Sequence, residues 1–149
     1  MNFSKITDSE ILDEYVRRFT IPAGEPIRSA KEAADHFRCF YSDAAKVEKF
    51  SILYLNSQNQ VLSTETLFEG SLNTSAVYPR RIVERILDIG CGAIVIAHNH
   101  PSGGTTPSAS DRAVTKKLQT ALGAIDVDLL DHIIIGGANY YSFADNHLL

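Results

Sequence analysis

An α/β fold, a mixed sheet with helices packed around it, is what this 149-residue sequence predicts. Three observations carry that expectation. The run Ala93-Ile94-Val95-Ile96-Ala97 is short, β-branched and preceded by Gly90 and Gly92, the pattern of a buried strand rather than a helix. The stretches Glu48 to Asn56 and Val61 to Phe68 flank the turn residues Ser57-Gln58-Asn59-Gln60 and read as an antiparallel hairpin. Around these strands lie segments with capping signals and apolar residues at helical spacing.

In chain order, Thr7-x-x-Glu10 is a capping box that opens a helix carrying Ile11, Leu12, Tyr15, Val16 and Phe19. It stops before the proline-glycine linker Ile21-Pro22-Ala23-Gly24-Glu25-Pro26. Residues 1–28 are therefore expected to form an N-terminal helix and linker ahead of a domain over 29–149, together one globular unit. Ser29-x-x-Glu32 starts a second helix with Ala33, Ala34, Phe37, Cys39, Phe40 and Tyr41. His36 on it is expected to be solvated or half-buried rather than a ligand. Glu69 to Ser75 is a loop, and Pro79 opens a helix with Ile82, Val83, Ile86 and Leu87 facing inward. Pro101 ends the histidine-bearing strand and Ser102-Gly103-Gly104-Thr105-Thr106 is a turn region. Ser108, with Asp111 three residues on, caps a helix carrying Ala113, Val114, Leu118 and Leu122 up to Gly123. Ile125 to Ile135 reads as a strand, Gly136-Gly137-Ala138-Asn139 as a hairpin turn and Tyr140 to Phe143 as the partner strand.

Composition narrows the function classes. The net charge is −4, and the densest basic group is Arg80, Arg81 and Arg85 on one helix, a weak footprint for a protein that must neutralise phosphates. Nucleic-acid binding is expected to be weak or absent. No run has the length of a membrane span or a signal peptide, so a soluble cytoplasmic protein is expected. Cys39 and Cys91 form no C-x-x-C pair and are expected to be reduced core thiols.

The chemistry concentrates in His98-Asn99-His100-Pro101, followed by Ser108 and Asp111. Side chains two apart on a strand share a face, so His98 and His100 converge while Asn99 faces away. Asp111, in the first turn of the following helix, faces back towards the strand end. Two imidazoles and one carboxylate make the three-ligand set of a zinc site that keeps a fourth position open. His132 is the rival ligand, expected instead to be a strand histidine hydrogen-bonded beside Asp131. No HExxH and no deaminase-type H-x-E with P-C-x-x-C occurs.

The spacing H-x-H-P, six residues, S-x-x-D resembles the JAB/MPN (JAMM) zinc metalloprotease family, in its RadC-like bacterial branch. The resemblance extends through Phe50-Ser-Ile-Leu-Tyr-Leu, Leu67-Phe-Glu-Gly-Ser-Leu-Asn, Tyr78-Pro-Arg-Arg-Ile, Asp131-His-Ile-Ile-Ile-Gly and Ser142-Phe-Ala-Asp, covering the chain from about residue 29 onward. It implies a cytidine-deaminase-like mixed sheet and one zinc per chain held by His98, His100 and Asp111. It further implies that Ser108 hydrogen-bonds the reacting water or the developing oxyanion and that Glu48 is the general acid/base. Glu65 is the second candidate for that role, expected to face solvent. The activity implied is hydrolysis of an amide bond in a peptide or protein, as peptidase or isopeptidase. The competing implication is a DNA-repair-associated module without proteolysis, since RadC-like proteins carry that label. Tyr78, Arg80 and Asn73, ahead of the histidine strand, are candidates to line a substrate groove.

Overall fold

The buried run around Ala93 to Ala97 becomes the central strand of the sheet. A computed structural model of the chain describes residues 3–41, 47–70 and 77–149. Its main elements are α1 (Asp8–Phe19), α2 (Ala30–Arg38), β1 (Lys49–Leu55), β2 (Val61–Glu69), α3 (Pro79–Ile89), β3 (Ala93–Asn99), α4 (Ala109–Gly123), β4 (Asp128–Gly136) and β5 (Asn139–Ser142). The sheet order is β2-β1-β3-β4-β5. Among the described residues only the β3 to β4 pairing is parallel, so the sheet is mixed. A parallel neighbour requires a crossover, and α4 supplies it. That crossover brings the N-terminus of α4 back over the C-terminal end of β3, where the histidines lie.

Every residue of β3 is buried, because both edges are paired and both faces are covered. On one face, Ile94 and Ile96 pack with Phe50, Ile52 and Tyr54 of β1 against Ile82 and Ile86 of α3 and Val114, Leu118 and Leu122 of α4. On the other, Ala93, Val95 and Ala97 pack with Leu53, Leu55, Ile133 and Ile135 against Ala33, Ala34 and Phe37 of α2. Each fully buried Leu, Ile or Phe contributes about 1.5–3 kcal/mol, so α3 and α4 are fixed to the sheet by their apolar stripes. The period of two puts His98 on the α4 face and Asn99 on the opposite face.

Several boundaries differ from the sequence expectation. The strand expected from Ile125 starts at Asp128. Helix α4 runs to Gly123, and Asp126 takes a left-handed φ of 56° in the connection. Gly136 pairs with Asn139, so the last turn has two central residues, Gly137 and Ala138, and β5 ends at Ser142 rather than Phe143. The Gly137 φ of 55° is the left-handed geometry such a tight turn demands. Cys39, Phe40 and Tyr41 lie beyond the end of α2. Leu87 is 67% exposed rather than inward, because Ile82 and Ile86 define the buried stripe of α3. Ala113 is exposed, and Thr115 takes the buried position next to Val114.

The proline-glycine segment after α1 is not a free linker. Gly24 N–H donates to Val61 C=O at 2.8 Å, Val61 N–H to Glu25 C=O at 2.9 Å and Ile27 N–H to Asn59 C=O at 3.0 Å. It is laced to the β1-β2 turn. No helix among the described residues is long and apolar enough to cross a membrane. Cys39 and Cys91 are free thiols, and burial pushes both upward in pKa.

Candidate metal centre

The site is assembled by two chain reversals. His100 N–H donates to Ile135 C=O at 2.8 Å, so β3 stays tied to β4 past its last strand residue. Pro101 then stops the ladder, and Gly103 N–H closes a turn onto His100 C=O at 3.0 Å. The returning loop presses on Gly136 of β4, where an added Cβ would sit 2.6 Å from the carbonyl oxygens of Gly103 and Gly104. Only glycine fits there. At the start of α4 a capping box holds Asp111: its N–H donates to Ser108 Oγ at 3.0 Å, and Ser108 N–H donates to Asp111 Oδ2 at 2.8 Å.

These reversals bring His98, His100 and Asp111 together. His98 Nε2 lies 3.1 Å from Asp111 Oδ1, His100 Nε2 3.2 Å from Asp111 Oδ2, and the two Nε2 atoms 3.0 Å from each other. The ligand atoms of this buried cluster all fall within 4.8 Å, and the cluster could hold a metal ion.

The tautomers follow from the partners on the far sides of the rings. His100 Nδ1 is 3.0 Å from Gly104 C=O, which only accepts, so the neutral ring carries its proton on Nδ1 and leaves Nε2 bare. Thr115 Oγ1 donates to Asp111 C=O at 2.8 Å and so accepts from His132 Nδ1 at 2.6 Å. A neutral His132 ring with its proton on Nδ1 has only a lone pair at Nε2, and burial, then the neighbouring His98, pushes its pKa well below the usual histidine range. Its Nε2 therefore accepts from His98 Nδ1 at 2.8 Å, and His98 also leaves Nε2 bare. Two lone pairs and a carboxylate thus face one another in a buried space, an arrangement that calls for a cation. The donor set fits a metal. Without one, a proton serves: the hydrogen bond to Asp111 raises the pKa of His100 despite burial. Burial alone would raise the Asp111 carboxyl, but His100 and His98 outweigh it and hold it far below the usual carboxylate range.

Glu48 is half-buried immediately before β1, and its charge contributes to raising the pKa of His100. Its backbone is fixed on both sides. Asn99 Oδ1 accepts from Lys49 N–H at 2.7 Å, Asn99 Nδ2 donates to Val47 C=O at 3.0 Å, and Glu48 C=O accepts from Gly70 N–H at 2.9 Å. Ser108 is exposed at the cap. A void of about 10 Å³, the size of one water, lies between the apolar Phe50, Val77 and Val114 and the polar His98, Asp111 and His132.

Other candidates fall elsewhere. Glu65 does not simply face solvent: it accepts from Tyr54 Oη at 2.6 Å and from Arg85 Nε at 2.8 Å. His132 is a strand histidine whose backbone N–H donates to Asp131 Oδ1 at 2.7 Å, while its ring turns to the other face. Adjacent strand residues face opposite ways, so Asp131 also accepts from Ser142 Oγ at 2.6 Å, while His132 backs His98. The sequence reading missed this backing role and Thr115 entirely; the signal was parity, since His132 shares a face with Ile134, not Asp131. His36 is buried at 2% exposure rather than solvated, and forms no part of the cluster. Tyr78 is 60% exposed, with its ring 6.1 Å from Phe68, and Arg80 is engaged by Glu84 at 3.0 Å. Asn73 lies outside the described residues.

The RadC-like JAB domain family model matches residues 27–148. The UPF0758 protein YfjY of Escherichia coli is 41% identical over 139 residues, 93% of this chain and 84% of its own length. YeeS of the same organism is 49% identical over 102 residues, 68% of this chain and 69% of its own. A UPF0758 protein of Thiobacillus denitrificans is 43% identical over 123 residues, where the match spans 83% of this chain and 54% of the relative. With a family model matched across the sheet, the histidine strand and the capped helix, the chain belongs to the RadC-like JAB domain family.

Proposed function

We propose that the protein is a zinc-dependent hydrolase of amide bonds, a peptidase or isopeptidase, with His98, His100 and Asp111 as metal ligands and Glu48 as general acid/base. The observation that carries this reading is the pair of bare Nε2 atoms 3.0 Å apart beside the Asp111 carboxylate. Two imidazoles and one carboxylate suit zinc, and three protein ligands are the number that leaves a catalytic position open. When bound, the ion supplies a Lewis acid that brings water ionisation into the neutral range.

The chain's own groups divide the remaining work. Glu48, held by Asn99 and Gly70 close enough to act on His100, takes a proton from the attacking water and returns it to the leaving nitrogen. Ser108 uses an Oγ lone pair for the Asp111 N–H, so its hydroxyl proton remains to be donated to the tetrahedral oxyanion. The substrate class is a peptide or protein. A nucleic-acid role gains little support from the basic residues of α3, because Glu84 engages Arg80, while Glu65 and Asp88 engage Arg85.

The test is a digest of a proteome-derived peptide library by zinc-loaded protein, by chelator-stripped protein and by Glu48→Gln. Cleavage should require zinc, and Glu48→Gln should keep zinc while losing about 10² to 10⁴ in rate, the usual worth of general acid/base catalysis. Identical cleavage patterns from loaded and stripped protein would overturn the reading.

A further inference from the structure

We infer that Thr115, acting through His132, sets which nitrogen of His98 is offered to the metal, making both of them positioning residues of the site. The inference rests on the metal-binding part of the proposed function and not on hydrolysis. Two proton arrangements compete in this buried chain. In one, Thr115 Oγ1 accepts from His132 Nδ1–H, His132 Nε2 accepts from His98 Nδ1–H, and His98 Nε2 is bare. In the other, both histidines carry the proton on Nε2, and His98 donates to Asp111 Oδ1, already only 3.1 Å away. The second arrangement is internally satisfied and excludes a metal. It therefore has to be disfavoured by something outside the ligand set.

Thr115 does this because its only proton is committed. At 2.8 Å from Asp111 C=O, which only accepts, the Thr115 hydroxyl donates there and leaves lone pairs for His132 Nδ1, so the second arrangement would have to give up that bond. The bond is the back-hydrogen bond of a helical threonine to the carbonyl four residues earlier, built into α4 by the spacing of Asp111 and Thr115. At 2% exposure, no bulk water reaches Thr115 to supply an alternative donor. The His132 ring is also held in plane, stacked on Phe143 at 4.5 Å with an interplanar angle of 21°. One hydroxyl, touching neither the metal position nor a ligand ring, thus selects the metal-accepting form of His98.

The test compares Thr115→Val, which keeps the shape and removes the hydroxyl, with Thr115→Ser, which keeps the hydroxyl. Zinc affinity is read by competition with a chromophoric chelator, the His98 tautomer by long-range proton-nitrogen NMR of the metal-free protein, and folding by thermal unfolding. Thr115→Val should weaken zinc binding by about 10- to 100-fold, the usual effect of losing an outer partner of a ligand histidine. Thr115→Ser should restore it, and metal-free Thr115→Val should show His98 protonated on Nε2. Equal zinc affinity in the Val variant and wild type, or His98 remaining Nδ1-protonated in the Val variant, overturns the inference. Should Thr115→Val not fold, His132→Gln against His132→Leu replaces it: Gln can still accept from His98 and should retain zinc where Leu loses it, and equal affinities overturn the inference. If wild type binds no zinc, the metal reading fails, and the tautomer of the metal-free Val variant alone decides the relay.

Discussion

His36 and the His98–His100 pair are both largely withdrawn from solvent, yet they end in opposite states. His36 Nδ1 accepts from Ile21 N–H at 2.9 Å and Nε2 bonds Thr64 Oγ1 at 2.8 Å, so both nitrogens are used. It stitches the segment after α1 and strand β2 onto α2, and burial lowers its pKa to about 4. In the pair, each ring spends its Nδ1 on a fixed acceptor, and the two remaining lone pairs point at each other. Burial alone therefore does not separate a structural histidine from a chemical one. What separates them is an acceptor left over after every local partner has been used.

The most severe test of that contrast removes the acceptors. Protein purified without chelator should carry one zinc per chain, and the His98→Ala, His100→Ala double variant should lose it, because water does not replace two imidazoles. His36→Gln should keep it. Elemental analysis of all three proteins checks this, and full zinc retention in the double variant would sink the site.

A smaller effect separates the two glutamates. Glu65 has committed partners, Tyr54 and Arg85, on the α3 side of the sheet. Those hydrogen bonds, together with charge on Arg85 and Arg81, lower its pKa against the opposing effect of burial. Glu65→Gln should leave zinc content and peptide cleavage unchanged and cost about 1–2 kcal/mol of stability through weakened charged hydrogen bonds. Denaturant unfolding beside the cleavage assay measures both. Selective loss of cleavage in Glu65→Gln would move the general-base role to that residue.

Much of this site was legible in the sequence because it is local. A β-branched run ending in His98-Asn99-His100-Pro101 and a Ser108-x-x-Asp111 cap each state their geometry within a few residues. The hairpin and the start of α3 at Pro79 were legible for the same reason. What sequence did not reveal depends on which face packs against which helix. Glu65 looked solvent-facing because nothing local indicates that Arg85 lies over it. Leu87 looked internal because helical spacing alone does not choose between neighbouring stripes. The contact of the His132 ring with His98 depends on strand parity and on the β3–β4 pairing, and Thr115 carries no local signal at all. Ile125 and Val127 are apolar and resemble strand residues, but β4 starts only at Asp128 because the left-handed turn at Asp126 belongs to the exit from α4.

The smallest effect belongs to the saturated histidine and concerns pH. His36 has a folded pKa of about 4 against 6.5 for the ordinary group, so the unfolded chain takes up the proton first as pH falls. The stability due to its neutral form is complete above about pH 6.5 and is lost progressively between 6.5 and 4. At 1.36 kcal/mol per unit, the loss by pH 4 is on the order of 3 kcal/mol as an upper bound. His36→Gln should be less stable at pH 7, since Ile21 N–H and Thr64 lose an imidazole, but its stability should fall less steeply towards pH 4. The difference between the two slopes isolates His36 from the buried carboxylates and from His132, which titrate in both proteins. Because His36 lies outside the metal cluster, that difference should be the same with zinc present and with zinc removed. Equal slopes for wild type and His36→Gln would show that His36 is not held neutral by the fold, and the contrast between the two kinds of histidine would lose one of its sides.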